Sequence, residues 1–304
     1  MPRLALKFAY DGRKFTGFQR QPNVRTVEGD IRRTLVELDA AIANKRSTED
    51  PTTPGISYTN RQDNEVNPFN YSYASRTDKG VSAMGNVLVL DSPKHPKEII
   101  SYLNSRLSNI HFHSYALVDR TFNPRYAKER WYRYVIPTFK MERSALGILI
   151  NGKLCTIDLD EIRTILKMFE GTHDFSRFSK LEPGKNPIRT IRSTSVQVEE
   201  RILGLPPILT IDIKGESFLW MMVRHMIGYL FESITSGSRS EYLEHIWSLT
   251  DPKPFLVPPT PLILKDVVFP DVNFHFTVPH SRILQELSGE AYLISEFSKT
   301  LFGF

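Results

Sequence analysis

Residues 73–85 read YASRTDKGVSAMG and run straight into NVLVLD at 86–91. The second piece has the alternation of a buried strand, flanked by turn formers. The first sets Arg76, Thr77 and Asp78 side by side on the loop that feeds that strand. Gly80 and Gly85 bracket a backbone that can turn tightly or let a ligand approach closely. A carboxylate beside an arginine, on a loop held by a strand, suits catalysis on an anionic substrate. The same pair also fits an exposed ion pair capping a turn, which is common on loops. The rest of the chain has to decide between them.

Upstream, residues 4–10 read as a first strand, and Asp11-Gly12 as a turn. Phe15 and Phe18 then alternate with Arg13, Lys14, Gln19 and Arg20. Aromatics among cations suit a nucleic-acid strand, with rings on bases and charges on phosphates. They also fit a loop pinned by two buried rings. Thr26 caps a helix running to about Ala41, with Val27, Ile31, Leu35 and Leu38 on one core-facing stripe. Residues 42–69 are polar and rich in Pro, Asn, Thr and Asp, and read as a long surface loop. Beyond the signature strand, 96–107 reads as an amphipathic helix and 110–118 as a strand. His111 and His113 share a face of that strand, with no third metal ligand nearby, so an exposed strand face is expected.

The second half opens with DRTFNPRYAKERWYRYVIP at 119–137. Strand alternation puts Tyr132 and Tyr134 on one face and Arg133 on the other. Residues 159–169 read as a helix, followed by GTHDFSRFS at 171–179. His173-Asp174 invites a metal-dependent nucleic-acid hydrolase, but that chemistry needs further ligands, and none stands at a suitable place. Strands come next at 189–198 and 207–215, then an apolar helix at 217–236 that carries Arg224 and His225. An arginine inside so apolar a helix is costly to bury alone and asks for a carboxylate, unless it is solvated at the helix edge. A short helix at 238–249, a final strand at 262–269 and a C-terminal helix at about 281–301 complete the chain.

With 304 residues and 40% hydrophobic content, the chain can bury a real core in one large or two modest domains. A net charge of +5 mildly favours an anionic partner without identifying one. The single cysteine, Cys155, builds neither a disulfide framework nor a cysteine zinc site. The apolar run at 218–231 is interrupted by Arg224 and His225 and is too short for a bilayer. No signal peptide is read in MPRLALKFAYDG, so a cytoplasmic protein is expected, or a nuclear one in a eukaryotic cell.

The chain resembles the TruA family of tRNA pseudouridine synthases. Five stretches carry the resemblance, in the family's order. They are YDG at 10–12 with GFQRQP at 17–22 and TVEG at 26–29; RTDKGVSA at 76–83; Phe122 to Tyr134, ending in Tyr-Arg-Tyr; MMVR at 221–224 with Gly228; and the strand around Leu264. GTHDF at 171–175 matches a recurring structural motif. Phe18 stands where tryptophan is frequent, and Pro261 where glycine is usual. The loop at 42–69 is longer than the family's connection, and the tail after about 271 matches nothing.

The resemblance implies an α+β fold of two ferredoxin-like halves. Their strands form a mostly antiparallel mixed sheet, with helices on one side and a basic cleft between the halves. Domains are expected at 1–118, with the insertion at 42–69, and at 119–304, with the extra C-terminal helix. Asp78 is implied as the catalytic carboxylate, Arg224 as its pairing arginine, and Tyr132 as the active-site tyrosine that stacks on uracil. Arg76, Gln19 and Arg20 are implied as substrate-binding residues. The family needs no metal or organic cofactor and acts on tRNA as a homodimer. Its bacterial members modify positions 38–40 of the anticodon stem-loop; Lys79 and Ser82 look more like archaeal and eukaryotic members, some of which modify other sites. Attack of the carboxylate at C1′, attack at C6 of uracil, and deprotonation of the sugar are three routes left open. Two other readings stand beside this one: a non-catalytic RNA-binding protein on the same fold, and the hydrolase built on His173-Asp174.

Overall fold

A computed structural model describes residues 1–49, 68–141, 145–200, 207–236 and 239–277. In chain order the elements are β1 (Arg3–Tyr10), α1 (Val27–Glu49), β2 (Ser72–Tyr73), β3 (Ser82–Asp91), α2 (Pro96–Arg106), β4 (Ile110–Val118), β5 (Glu129–Pro137), β6 (Phe139–Lys140), β7 (Leu146–Ile150) and β8 (Lys153–Thr156). Then come α3 (Leu159–Met168), β9 (Gly171–Asp174), β10 (Ile188–Glu199), β11 (Ile208–Gly215), α4 (Met222–Ser236), α5 (Arg239–His245), β12 (Leu262–Val268) and β13 (His275–Phe276). The chain divides into two compact units. One holds Met1–Ala127 with residues 269–277, the other Lys128–Val268. The division falls beyond the 118/119 junction expected from sequence, because a 3-10 turn at Pro124–Tyr126 packs against β2 and β3.

In the first unit the strands lie in the order β4-β1-β3-β2, and every pairing is antiparallel. Two interleaved strand–helix–strand crossovers with this order make a ferredoxin-like fold. Right-handed crossovers put both helices on one face, where α1 packs on α2. β1 is the central strand, and its Leu4, Leu6 and Phe8 are completely buried. Thr26 begins α1, its hydroxyl accepting the Gly29 N–H at 3.2 Å. The expected stripe of Val27, Ile31, Leu35 and Leu38 is buried. The helix runs to Glu49, eight residues past the expected Ala41, since the polar run ANKRSTE is rich in helix formers. Residues 50–67 of the expected loop lie outside the described residues. So does the expected C-terminal helix.

The second unit repeats the plan. Its order is β12-β5-β11-β10, again antiparallel throughout, with β9 added on β10. α3 and α4 pack together as its crossover helices. Asp158 caps α3 by accepting the Asp160 N–H at 2.9 Å and the Glu161 N–H at 3.3 Å. A separate three-stranded sheet, β6-β7-β8, was not expected. Asn151 (φ 48°) and Gly152 (φ 79°) close its β7–β8 hairpin with two left-handed residues, the turn that an Asn-Gly pair favours.

Two further expectations are corrected. β12 is not the last strand, because β13 pairs with β4 in the first unit. His113 is not on an exposed face: it is buried, its Nε2 2.9 Å from the Met84 carbonyl and its Nδ1 2.8 Å from the Ser114 hydroxyl. No helix among the described residues is long and apolar enough to cross a membrane.

Candidate active site

Asp78 opens a tight turn in the first unit, its carbonyl accepting the Val81 N–H at 3.1 Å. Gly80 takes φ 85° inside that turn, which any side chain would strain. Gly85 lies within β3, so of the two glycines only Gly80 uses this freedom. The limb leading to Arg76 is fixed by Asn86, a fully buried amide. Its Oδ1 accepts the N–H of Ser75 at 3.2 Å and of Val87 at 2.8 Å, and its Nδ2 donates to the Ser75 carbonyl at 2.9 Å. A buried amide satisfied on both sides holds the backbone one residue before Arg76.

The loop after β1 braces the other side. Tyr10 and Thr77 share a hydroxyl–hydroxyl hydrogen bond of 2.8 Å, and the Phe18 N–H donates to the Thr77 carbonyl at 3.1 Å. The Gly12 N–H donates to the Ser82 hydroxyl at 3.0 Å. A Cβ on Gly12 would stand 2.1 Å from the Val81 oxygen, so only glycine allows this approach. Arg76 and Gln19, expected separately as substrate-binding residues, are brought together: Nη1 of Arg76 donates to Oε1 of Gln19 at 3.2 Å, on exposed side chains. Arg20 is exposed too, and its N–H donates to the Glu28 carboxylate at 2.8 Å. Phe15 and Phe18 offer no stacking surface. Both are buried, Phe18 edge-on to Tyr73 at 4.9 Å and Phe15 beneath the Arg25 guanidinium at 4.6 Å.

Tyr132 and Arg224 belong to the second unit. Tyr132 occupies the row Leu264–Tyr132–Ile213 across β12, β5 and β11. It is 8% exposed, and Phe218 meets its ring edge-on at 5.0 Å. Burial pushes the nearby Arg130 guanidinium below the usual arginine range, with the Tyr132 phenol acting the other way. Tyr134 is a core residue, its hydroxyl donating to the Pro258 carbonyl at 3.1 Å.

α4 starts at Met222, five residues later than expected. Met221 has φ 64°, and the Trp220 carbonyl is taken by the Lys180 N–H at 3.0 Å, which holds this stretch out of the helix. Arg224 is 8% exposed, so it is not solvated at the helix edge. A strap at 252–258 runs along α4 and meets it turn by turn. Nε of Arg224 donates to the Val257 carbonyl at 2.9 Å, and Nδ1 of His225 to the Pro254 carbonyl at 2.8 Å. Glu232 accepts the Phe255 N–H at 2.7 Å. Between these contacts, a Cβ on Gly228 would stand 1.9 Å from the Phe255 oxygen. Gly228→Ala is therefore expected to destabilise the protein. The backbone clash costs about 1–3 kcal/mol or more, against a helix-propensity gain of about 1 kcal/mol. A lowered midpoint in urea unfolding checks this, and an unchanged or raised midpoint would contradict the tight approach.

The histidine and aspartate of the hydrolase reading are otherwise engaged. His173 lies flat on Trp247, centroids 4.2 Å apart, with its Nε2 2.7 Å from the Glu170 carbonyl. Asp174 accepts the Ser176 N–H at 2.8 Å. Among the described residues no group of three or more His, Cys, Asp or Glu side chains is placed to hold a metal ion.

Comparison with known proteins adds an independent line. A family model for tRNA pseudouridine synthase matches residues 165–270. A tRNA pseudouridine synthase A of Pyrococcus horikoshii is 32% identical over 98% of this chain and 99% of its own length. Proteins of the same name from Pyrococcus furiosus and Thermococcus kodakarensis are 34% and 36% identical, each over 90% of this chain and over 85% and 86% of their own lengths.

Proposed function

The chain belongs to the family of tRNA pseudouridine synthases, and from that premise we propose how its residues divide the work and where on tRNA it acts. It is an isomerase that converts uridine in tRNA to pseudouridine. The C1′–N1 bond breaks, the uracil turns, C5 bonds to C1′, and the proton on C5 leaves while N1 gains one. A uridine in a stem is stacked and paired, so the base must first be flipped out, at a cost of a few kcal/mol that phosphate contacts offset.

In this reading Asp78 is the carboxylate at the glycosidic bond. The observation that carries it is the braced turn, which presents Asp78 half-exposed between Arg76 and a left-handed Gly80. Arg76, steadied by Gln19, enters the space the base leaves and holds a phosphate, with Arg20 next to Gln19 in sequence. Tyr132 stacks on the flipped uracil. Arg224 pairs with Asp78 and keeps it ionised. The target is the anticodon stem-loop at positions 38–40, and the enzyme works as a cytoplasmic homodimer with one tRNA across both subunits. Mapping pseudouridine in unmodified tRNA transcripts after incubation with the pure protein tests the target. Product outside 38–40 moves the site, and light scattering that finds a monomer removes the dimer.

Tyr132→Phe is expected to keep most of the single-turnover rate, because the ring and its area remain. Tyr132→Leu should lose more, about ten-fold or greater, as one base–aromatic contact disappears. Equal rates for the two variants would take stacking away from Tyr132.

A further inference from the structure

Trp220 is 44% exposed, on the short segment that joins two parts of the proposed site. Phe218, two residues before it, meets Tyr132, and Arg224 comes after it on α4. The backbone of this segment is held firmly. Lys180 ties the Trp220 carbonyl, and Met221 takes a left-handed φ of 64° that costs energy for a residue with a side chain. The Lys180 ammonium stands 4.5 Å from the centre of the indole, and Lys180 is itself exposed.

The other two tryptophans are accounted for by packing. Trp247 is enclosed by Phe169, Phe175 and Phe178 and stacked on His173. Trp131 lies beneath Lys214, beside an Arg133 already paired with Asp212 and Glu199. Trp220 has no such enclosure. The part of the ring left open to water gains nothing for folding by being there, while an indole with a cation against it matches one unit of single-stranded nucleic acid. The ring stacks on a base, and the ammonium moves to the adjoining phosphate.

We infer that Trp220 and Lys180 form a platform for one unpaired nucleobase of the tRNA and its phosphate, distinct from the flipped uridine assigned to Tyr132. The inference rests on the tRNA reading above. The test titrates unmodified tRNA transcript into full-length wild type, Trp220→Ala, Trp220→Phe and Lys180→Ala, at several salt concentrations. Binding and tryptophan fluorescence are monitored, and sedimentation of the free proteins is recorded.

Trp220→Ala is expected to bind about ten-fold more weakly, and Trp220→Phe to stay near wild type, because the face for stacking is kept. tRNA should quench wild-type fluorescence strongly and Trp220→Phe much less. Lys180→Ala should flatten the dependence of log affinity on log salt by roughly 0.7–0.9, one phosphate's share. The platform is overturned if Trp220→Ala binds within about two-fold of wild type or if the quench persists in Trp220→Phe. A changed oligomeric state with unchanged tRNA affinity would also overturn it, giving Trp220 to a protein contact. Should Trp220→Ala fail to fold, the quench in Trp220→Phe and the salt slope of Lys180→Ala decide. If wild type binds the transcript but forms no pseudouridine, the isomerase reading falls, and the platform is still judged by the titration.

Discussion

Asp78→Asn is expected to bind tRNA as tightly as the native protein and to form no pseudouridine. The turn that presents residue 78 is closed through its backbone carbonyl, to the Val81 N–H, and through the φ of 85° at Gly80. Neither depends on the carboxylate. Thr77, Ser75 and Ser82 are held by Tyr10, Asn86 and Gly12, none of which the substitution touches. Asparagine keeps the shape and tolerates turns, but an amide is neither a nucleophile nor a base of useful strength. The loss in single-turnover rate should therefore be at least about four orders of magnitude, the size seen when a reacting group is removed from a preformed site. The measurement pairs a filter-binding isotherm with single-turnover pseudouridine formation. Product above trace level would remove Asp78 from the chemistry. Lost binding with lost product would make it a positioning or folding residue instead.

How much the sequence disclosed depends on the range of the interactions. The α1 stripe was legible because a helix repeats its buried face every three or four residues, and Val27, Ile31, Leu35 and Leu38 are all buried. Two units of one plan were implied by the family resemblance, and the order of strands and helices read along the chain was compatible with them. Phe15 and Phe18 were ambiguous because a ring anchoring a loop and a ring awaiting a base have the same neighbours in sequence. Only the packing of Phe18 on Tyr73 separates them. Residues 217–221 are apolar enough to continue α4 upstream; what stops them is Lys180, about forty positions away, taking the Trp220 carbonyl. The hairpin at 146–156 carried its signal in Asn151-Gly152, which went unread.

For the candidate site, the residues proposed to react were picked out by the family resemblance, while their supports were not. The side chains of Asn86 and Ser82 act on backbone atoms 11 and 70 positions away, and no periodicity announces such contacts. The strap at 252–258 was equally silent, since it works through carbonyls that every residue possesses. Yet that strap decides how the Arg224 guanidinium is aimed, and so what its removal would do.

Arg224→Lys and Arg224→Met are expected to impair catalysis in that order, and Met to move the acid limb of the rate profile to higher pH. Arg224 is buried among Met222, Val223, Met226 and Ile227, all themselves buried, so water does little to solvate its charge. The Val257 carbonyl takes Nε at 2.9 Å, which aims the planar guanidinium rather than leaving it to rotate. Lysine keeps the charge but has no planar fork, so it cannot satisfy the strap carbonyl and grip a carboxylate in two places. Methionine keeps the apolar stem and removes the charge. If Arg224 faces Asp78, a cation beside the carboxylate favours its ionised form, and activity appears at lower pH. Removing that cation makes the carboxylate hold its proton longer, so the limb moves to higher pH. Methionine also leaves the Val257 oxygen without this donor, at a cost of about 1–3 kcal/mol if water cannot replace it. A lower unfolding midpoint alone therefore shows only that the strap has been disturbed. The position of the limb is the separate readout, because partial unfolding scales the rate at every pH without moving the titration. Single-turnover profiles for wild type and both variants, taken well below each midpoint temperature, give that position. Limbs that coincide in all three would separate Arg224 from the carboxylate and leave it a buried tether for the strap, with the chemistry resting on Asp78 and Tyr132.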